Sequence, residues 1–208
     1  MATPIEHDGA LPMYAGESPV TEARKISVGI VIYIGTDVLL AIMFFVTYIW
    51  LRQSNTNNLW FAPGVIAASH LELLWPAIAL AVSSGCYLVA QLAVRYNMQL
   101  LFRIAILVAL LIMLGVLVWE VVAMGHLPFT QYSGGYASSY LLLLGYHIVH
   151  MGVAVIVGIG ITVRAFRGYY DATQHVGVDL AGVWWHWVVI FAIAFWLLVL
   201  MQPASLFY

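Results

Sequence analysis

The chain has 208 residues, of which 64% are hydrophobic and only 8% are charged, and its formal net charge at pH 7 is −2. Soluble globular proteins carry about 25% charged residues, so this composition excludes a soluble domain and indicates an integral membrane protein. Seven Lys and Arg residues are too few for a nucleic-acid-binding surface, and no nucleic-acid partner is expected. The single cysteine, Cys86, cannot form an internal disulfide or a thiolate metal site alone.

Residues 1–24 are predicted to form a flexible cytoplasmic tail, because prolines and glycines interrupt this stretch and it has no apolar periodicity. The tail carries acidic residues and leads into a long apolar run. This is not the pattern of a signal peptide, in which a basic start precedes an apolar core of about 7–15 residues. Residues 25–208 are predicted to form a single transmembrane domain.

Five segments in this domain are long and apolar enough to span a membrane, since a helix needs about 20 mainly apolar residues to cross the hydrocarbon. A spanning segment must also satisfy its own backbone hydrogen bonds, which favours helices. Ser69, followed by Glu72 three residues later, forms a capping-box pattern at the start of the second segment. The predicted fold is an all-α membrane protein with five transmembrane helices over residues 25–52, 72–95, 103–124, 138–162 and 178–201.

The basic residues predict the direction of insertion, because Lys and Arg concentrate in cytoplasmic loops. If the helices alternate, six of the seven fall on one side and only Arg52 falls on the other. The N-terminus is therefore predicted to be cytoplasmic and the C-terminus outside. Aromatic residues then form an outer belt of Tyr48, Trp50, Trp60, Tyr132 and Tyr136 and an inner belt of Tyr96, Tyr169, Tyr170 and Trp184.

Two pairs of small residues indicate where helices touch. Ala81 and Gly85 are four residues apart in the second segment, and Ala154 and Gly158 are four apart in the fourth. Such pairs let helix backbones approach closely in a membrane. We interpret both as ordinary packing sites.

Ionisable residues inside the membrane are costly, so each is a candidate functional residue. A helical rise of about 1.5 Å per residue places Asp37 near the midplane of the membrane. It also places Glu120 and His147 at depths where the two side chains can meet. By the same calculation, the depths of His150 and His186 in the membrane differ by no more than about one helical turn, and the side chain of Asp37 can reach the depth of His186. The sequence predicts a buried polar network of Asp37, Glu120, His147, His150 and His186.

Several roles for this network remain open at this point. It can consist of interhelical hydrogen bonds that orient the helices, or it can form a proton route. A bis-histidine haem anchor would use His150 and His186, because two facing imidazoles can hold an iron. A proton-coupled transporter would be centred on Asp37. Any metal site lacks a further strong ligand from another helix, so none is predicted.

Four short motifs resemble subunit III of the haem–copper terminal oxidases. Residues 145–152, Gly-Tyr-His-Ile-Val-His-Met-Gly, resemble the Gly-x-His-x-x-His segment of that family, with Tyr136 nine residues before it. Residues 185–187, Trp-His-Trp, resemble its Trp-His-Phe element, and Glu120 matches its acidic position before a loop. Residues 36–45 resemble its Ser-Glu segment with trailing aromatics, and the order of the motifs agrees over roughly residues 26–202.

The chain departs from the family at two positions. Asp37 stands where the family usually has glutamate, and Val189 stands where many members have aspartate. These changes indicate a divergent branch. The five predicted spans resemble the shorter form of the family, which lacks the first two of seven helices.

The resemblance implies a non-catalytic subunit that binds no haem or copper itself. Such a subunit packs beside the catalytic subunit I and other oxidase subunits, holds phospholipids, and supports proton uptake while the complex reduces O2 to water and pumps protons. It implies a bacterial or archaeal plasma membrane location. An accessory subunit of a nitric oxide reductase is an alternative within the same superfamily, and the electron donor of the complex is not indicated.

Overall fold

A computed structural model of the chain describes residues 19–55, 60–63, 65 and 70–200. Within these residues, five helices are long and apolar enough to cross a membrane, which confirms the predicted number of spans. Which end faces the cytoplasm stays a prediction. The helices are α1 (Pro19–Gln53), α2 (His70–Arg95), α3 (Gln99–Gly125), α4 (Gly135–Phe166) and α5 (Val176–Leu200).

Helix α1 begins inside the stretch that was predicted to be a flexible tail. Its first residue is Pro19, so the helix extends into the predicted tail, whereas the segment apolar enough to span a membrane begins at Arg24. Proline is favoured at the start of a helix because the amide that it lacks has no intrahelical partner there. The rest of the predicted tail, residues 1–18, lies outside the described residues, as does Ser69 of the capping-box pattern.

Four of the helices form a closed ring, and α1 packs on its outside. Helices α2 and α4 each contact both α3 and α5, whereas α1 contacts α4 and α5. One apolar cluster fills the ring around Trp185, and a second lies around Tyr136 toward the α3–α4 loop. Helix α1 is therefore the most peripheral of the described helices, with large apolar side chains such as Val31 and Met43 about two-thirds exposed.

The aromatic belts are only partly present. Trp50, Tyr132, Tyr96 and Tyr169 are exposed. Five other predicted belt residues are buried in the core: Tyr48, Trp60, Tyr136, Tyr170 and Trp184. The belt prediction is wrong for those five, because a large aromatic ring suits both a membrane interface and a packed core.

Short turns join neighbouring helices at the end of the bundle opposite the α3–α4 loop. Asn97 links α2 to α3 with a left-handed φ of 58°, a conformation that asparagine tolerates better than most residues. In the α4–α5 turn, Asp171 accepts hydrogen bonds from the amide and hydroxyl of Thr173 and from the amide of Gln174. These bonds, the Thr173 hydroxyl first, lower the pKa of Asp171, since they stabilise its charged form.

The two pairs of small residues differ in the structure. A Cβ atom added to Gly158 would lie 2.8 Å from Cζ3 of Trp185 and 3.1 Å from Cδ1 of Leu110. Helix α4 therefore approaches α5 and α3 closely at this glycine, which confirms the prediction there. A Cβ added to Gly85 would meet nothing within 4 Å, so no described neighbour approaches that glycine closely and the prediction is wrong for it.

Candidate functional site

The five predicted site residues do not form one network. The structure brings Asp37 together with His150 and brings Glu120 together with His147. His186 instead faces α2, where it bonds to other residues. The predicted meeting of Glu120 with His147 is therefore confirmed, whereas His186 does not join the group of Asp37 and His150. Depth along the membrane normal does not specify the direction in which each side chain leaves its helix.

The first group, around Asp37, joins α1 to α4 and α5 through hydrogen bonds. Oδ1 of Asp37 lies 3.0 Å from Nε2 of His150, and Oδ2 accepts a hydrogen bond of 2.6 Å from Nε1 of Trp187. The Tyr146 hydroxyl donates to the backbone oxygen of Asp37 at 3.4 Å. Because Asp37 is only 9% exposed, its carboxylate exchanges water for these partners and binds three helices together.

The hydrogen bonds of His150 determine how many protons this group holds. Its Nδ1 lies 2.7 Å from the backbone oxygen of Tyr146, and a carbonyl oxygen only accepts, so Nδ1 carries a proton. The contact between Nε2 and Asp37 must contain one more proton. Whether that proton resides on nitrogen or oxygen, the pair has no net charge. The geometry can thus hold a proton between α1 and α4 without placing a net charge there.

Aromatic rings pack against His150. Its ring centroid lies 3.9 Å from that of Tyr146 and 5.2 Å from that of Trp184, and Tyr33 of α1 stacks on Trp184 at 5.3 Å. Sequence reasoning did not assign these aromatic residues or Trp187 to the site. Most of these aromatic residues lie close to a motif histidine in the sequence, which is the signal that could have found them. The chain contains many other aromatic residues, so only the fold identifies which of them pack at the site.

The second group is the pair Glu120–His147, which joins α3 to α4. Nδ1 of His147 lies 3.0 Å from Oε2 of Glu120, and the two residues are 1% and 6% exposed. The ring of His147 stacks on Phe191 of α5. Within the described part of the chain, Nε2 of His147 has no hydrogen-bond partner. Glu120 also lines a cavity near the α3–α4 loop.

The third group joins α5 to α2 through His186. Nδ1 of its ring lies 2.7 Å from the Ser84 hydroxyl, and Nε2 lies 3.2 Å from Oε1 of Gln91. The amide oxygen only accepts, so Nε2 carries a proton, and in the neutral imidazole Nδ1 accepts from the Ser84 hydroxyl. The sequence prediction missed Ser84 and Gln91 because it searched only for ionisable residues.

The haem-anchor interpretation does not fit this geometry. Both ring nitrogens of His150 and both of His186 are engaged by protein groups, whereas an axial ligand needs a free nitrogen directed at the iron. The two imidazoles also bond to different helices, α1 and α2. Among the side chains that the structure describes, no three His, Cys, Asp or Glu residues converge on one point.

Known proteins similar to this chain share one name. A protein named cytochrome c oxidase subunit 3 from Thermostichus vulcanus is 32% identical over 92 residues, which cover 43% of this chain and 44% of that protein. One from Synechocystis sp. is 28% identical over 138 residues, 60% of this chain and 58% of that protein. One from Pylaiella littoralis is 21% identical over 197 residues, 88% of this chain and 71% of that protein.

No protein-family model matches the chain. The first two relatives are matched over about half of their own length, whereas the third match extends along most of this chain. The shared name agrees with the family that the short motifs indicate. The chain is thus a multi-helix protein, with helices able to span a membrane, that is similar to cytochrome c oxidase subunit 3 proteins.

Proposed function

We propose that this chain is a non-catalytic subunit III of a respiratory haem–copper oxidase, in the short form of the family with five spans. The observation that carries the proposal is the match of 197 residues, 88% of the chain, to a protein named cytochrome c oxidase subunit 3. The complex would reduce O2 to water and pump protons. Its haem and copper would be held by the catalytic subunit I, beside which this chain packs.

The polar pairs support a structural role. Each of the three groups bonds one helix to another: Asp37 to α4 and α5, Glu120 to α4, and His186 to α2. A hydrogen bond between helices in lipid contributes modestly, about 0.6 kcal/mol on average. These bonds specify which helix faces meet. This arrangement suits a subunit that stabilises its partner and presents a constant surface.

The outer surface supports the proposed contacts with lipid and with partner subunits. Helix α1 is anchored along one face and exposes large apolar side chains elsewhere, including Ile32, Leu39 and Trp50 at 64–67%. In a membrane, such a surface is covered by acyl chains or by another subunit. We place bound phospholipids and the catalytic subunit among its neighbours, in a bacterial or archaeal plasma membrane. Support for proton uptake by the complex is part of the same proposal.

Affinity purification from native membranes tests the proposal. The chain is tagged, expressed at its native level and extracted in a mild non-ionic detergent. We expect a haem-containing subunit to copurify, visible in the reduced-minus-oxidised absorption spectrum and identified by mass spectrometry. A tagged multi-span protein without oxidase similarity serves as the control. Recovery of the chain with no haem–copper subunit, under conditions that keep the oxidase intact, would show the proposal to be wrong.

A further inference from the structure

Helix α1 begins at the end of the bundle where α4 ends. Asp37 of α1 contacts His150 of α4. Further along α1, Phe44 packs on Tyr146, which comes earlier in α4 than His150 does. The two helices are therefore antiparallel. The N-terminal segment that precedes α1, residues 1–18, consequently joins the bundle at the end that carries the α4–α5 turn.

Three exposed arginines lie at this end, and together we call them the basic surface: Arg24, Arg164 and Arg167. Arg24 precedes Asp37 by 13 residues, and Arg164 follows His150 in α4 by 14 residues. At a rise of about 1.5 Å per residue, each is about 20 Å along its helix from the contact between those two helices. Arg167 follows directly after α4. The three guanidinium groups therefore lie at similar depths on neighbouring helices.

This end of the bundle has an excess of positive charge. Its described residues include six Lys and Arg but only two carboxylates, Asp171 and Asp179. Asp179 pairs with Arg95 at 3.0 Å, whereas Arg164 and Arg167 form no ion pair within the described part of the chain. The basic surface therefore attracts an anionic group.

The N-terminal segment carries the complementary charge. It contains Glu6, Asp8 and Glu17 and has no Lys or Arg. The chain has nine Asp and Glu residues in all, so a third of its acidic residues lie within these 18 positions. No basic residue inside the segment competes for these carboxylates, which leaves them to pair with basic groups elsewhere.

The segment is also tethered within reach of the basic surface. Glu6 lies 13 residues before Pro19, and an extended chain covers about 3.3 Å per residue, so the reach is about 40 Å. Packed helices such as α1 and α4 are only about 8–10 Å apart. A short tether raises the effective concentration to the millimolar range, so ion pairs that are individually weak at an exposed surface suffice for docking. A free anionic molecule lacks this advantage.

We propose that the N-terminal segment docks on the basic surface through its three carboxylates. Docking neutralises the excess positive charge at this end of the bundle. It also makes the segment an internal competitor for any other anionic group that approaches Arg164 and Arg167. The contact involves only residues of this chain, so it does not depend on the oxidase proposal.

Cysteine crosslinking in the full chain tests the docking in a Cys86→Ser background. Tyr14→Cys places a thiol in the segment, and Tyr169→Cys places one next to the basic surface, at a side chain that is 62% exposed. In a non-ionic detergent at low salt, a short bismaleimide should link the two thiols within one chain, as mass spectrometry of the linked peptides shows. The yield should fall severalfold in 1 M salt, where charges are screened beyond about 3 Å. A yield that does not depend on salt would overturn the proposal.

A matched pair of thiols controls for random encounters. It combines Tyr14→Cys with Tyr132→Cys, which lies in the α3–α4 loop at the opposite end and is 88% exposed. We expect the yield of this pair to be at least about fivefold lower, because the segment is concentrated near its own attachment point. Equal yields from the two pairs would contradict docking at the basic surface.

A charge swap separates docking from mere proximity of the tethered segment. Arg164→Glu combined with Arg167→Glu should lower the yield of the first pair about threefold or more, as should Glu6→Lys combined with Asp8→Lys. The variant with all four substitutions should regain the parent yield, because the charges are again complementary. All four positions lie in the N-terminal segment or on the exposed end of α4, so the helical core is unchanged. Unchanged yield in both reversed variants, or no recovery in the combined variant, would refute the proposal.

Vesicles distinguish the segment from an anionic lipid as the occupant of the basic surface. The crosslinking is repeated in vesicles of phosphatidylcholine alone and in vesicles that also contain phosphatidylglycerol. We expect the crosslink and its dependence on the charge swap to persist in both. Loss of the crosslink in the vesicles with phosphatidylglycerol would show that the lipid displaces the segment, and it would overturn the proposal.

Discussion

At the scale of single residues, the polar groups inside the bundle differ in how completely they are satisfied. Both carboxylate oxygens of Asp37 have partners, whereas Nε2 of His147 is buried and has none among the described residues. A satisfied group holds helices together, and a buried unsatisfied one marks a place where a ligand or a proton can be accommodated. This difference separates the group around Asp37 from the Glu120–His147 pair.

Two tryptophans of α5 allow the contribution of the Asp37 group to be measured. Nε1 of Trp187 donates to Asp37 at 2.6 Å, whereas Nε1 of Trp196 is buried without a partner in the described structure. Trp187→Phe should lower the free energy of unfolding in mixed micelles by about 1–2 kcal/mol, because it removes a donor from a buried carboxylate.

The matched variant Trp196→Phe should lower the free energy of unfolding by less than Trp187→Phe does, since it loses the same ring volume but the N–H that it removes has no partner in the described structure. The comparison controls for the smaller size of phenylalanine. Equal destabilisation by both variants would mean that ring volume, and not the hydrogen bond to Asp37, accounts for the loss.

At the scale of helices, a close approach of α4 to α5 depends on a residue without a side chain. Gly158 lies against the ring of Trp185, which is 1% exposed and is also held by a hydrogen bond of 3.1 Å from its Nε1 to the Ser83 hydroxyl. A ring so constrained cannot move aside for an added methyl group. The crossing of α4 and α5 is therefore limited by volume at this position.

Gly158→Ala should destabilise the bundle by about 1–3 kcal/mol through overpacking. Thermal unfolding of the purified chain, followed by tryptophan fluorescence or by loss of solubility, measures the effect. Gly85→Ala is the control, because a Cβ at that glycine meets nothing within 4 Å. This variant should unfold at or slightly above the temperature of the parent. If Gly158→Ala is as stable as Gly85→Ala, the close approach is not limiting.

At the scale of the whole molecule, the direction of insertion is the property that internal contacts do not specify. The predicted direction depends on the distribution of Lys and Arg. Tyr132 in the α3–α4 loop is 88% exposed and Tyr169 in the α4–α5 turn is 62% exposed. These two positions lie at opposite ends of the bundle and are accessible to a labelling reagent.

Cysteine labelling tests the orientation in a Cys86→Ser background. A membrane-impermeant maleimide applied to intact cells should label the Tyr132→Cys variant and should label Tyr169→Cys only after lysis. The opposite pattern would place the N-terminus outside and would overturn the positive-inside prediction for this chain. Labelling of both variants after lysis is the control for reactivity.

The number of helices and their approximate ends could be predicted from sequence, because a span needs about 20 apolar residues and the polar segments between spans are short. The candidate polar residues were also visible, since any ionisable residue within a span is conspicuous. The motif resemblance and the similar proteins agree on one family. These properties are local, and they depend on composition and on spacing along one helix.

Other features required the tertiary structure, because they depend on the direction in which side chains point and on which helices are neighbours. Depth placed Asp37 near His186, but the fold pairs it with His150 and turns His186 toward Ser84 and Gln91. Residue type predicted interfacial belts, but packing buried Tyr136 and Trp184. The cavity at Glu120 combines residues from α2, α3, the α3–α4 loop and α4, and no spacing along the chain encodes that convergence.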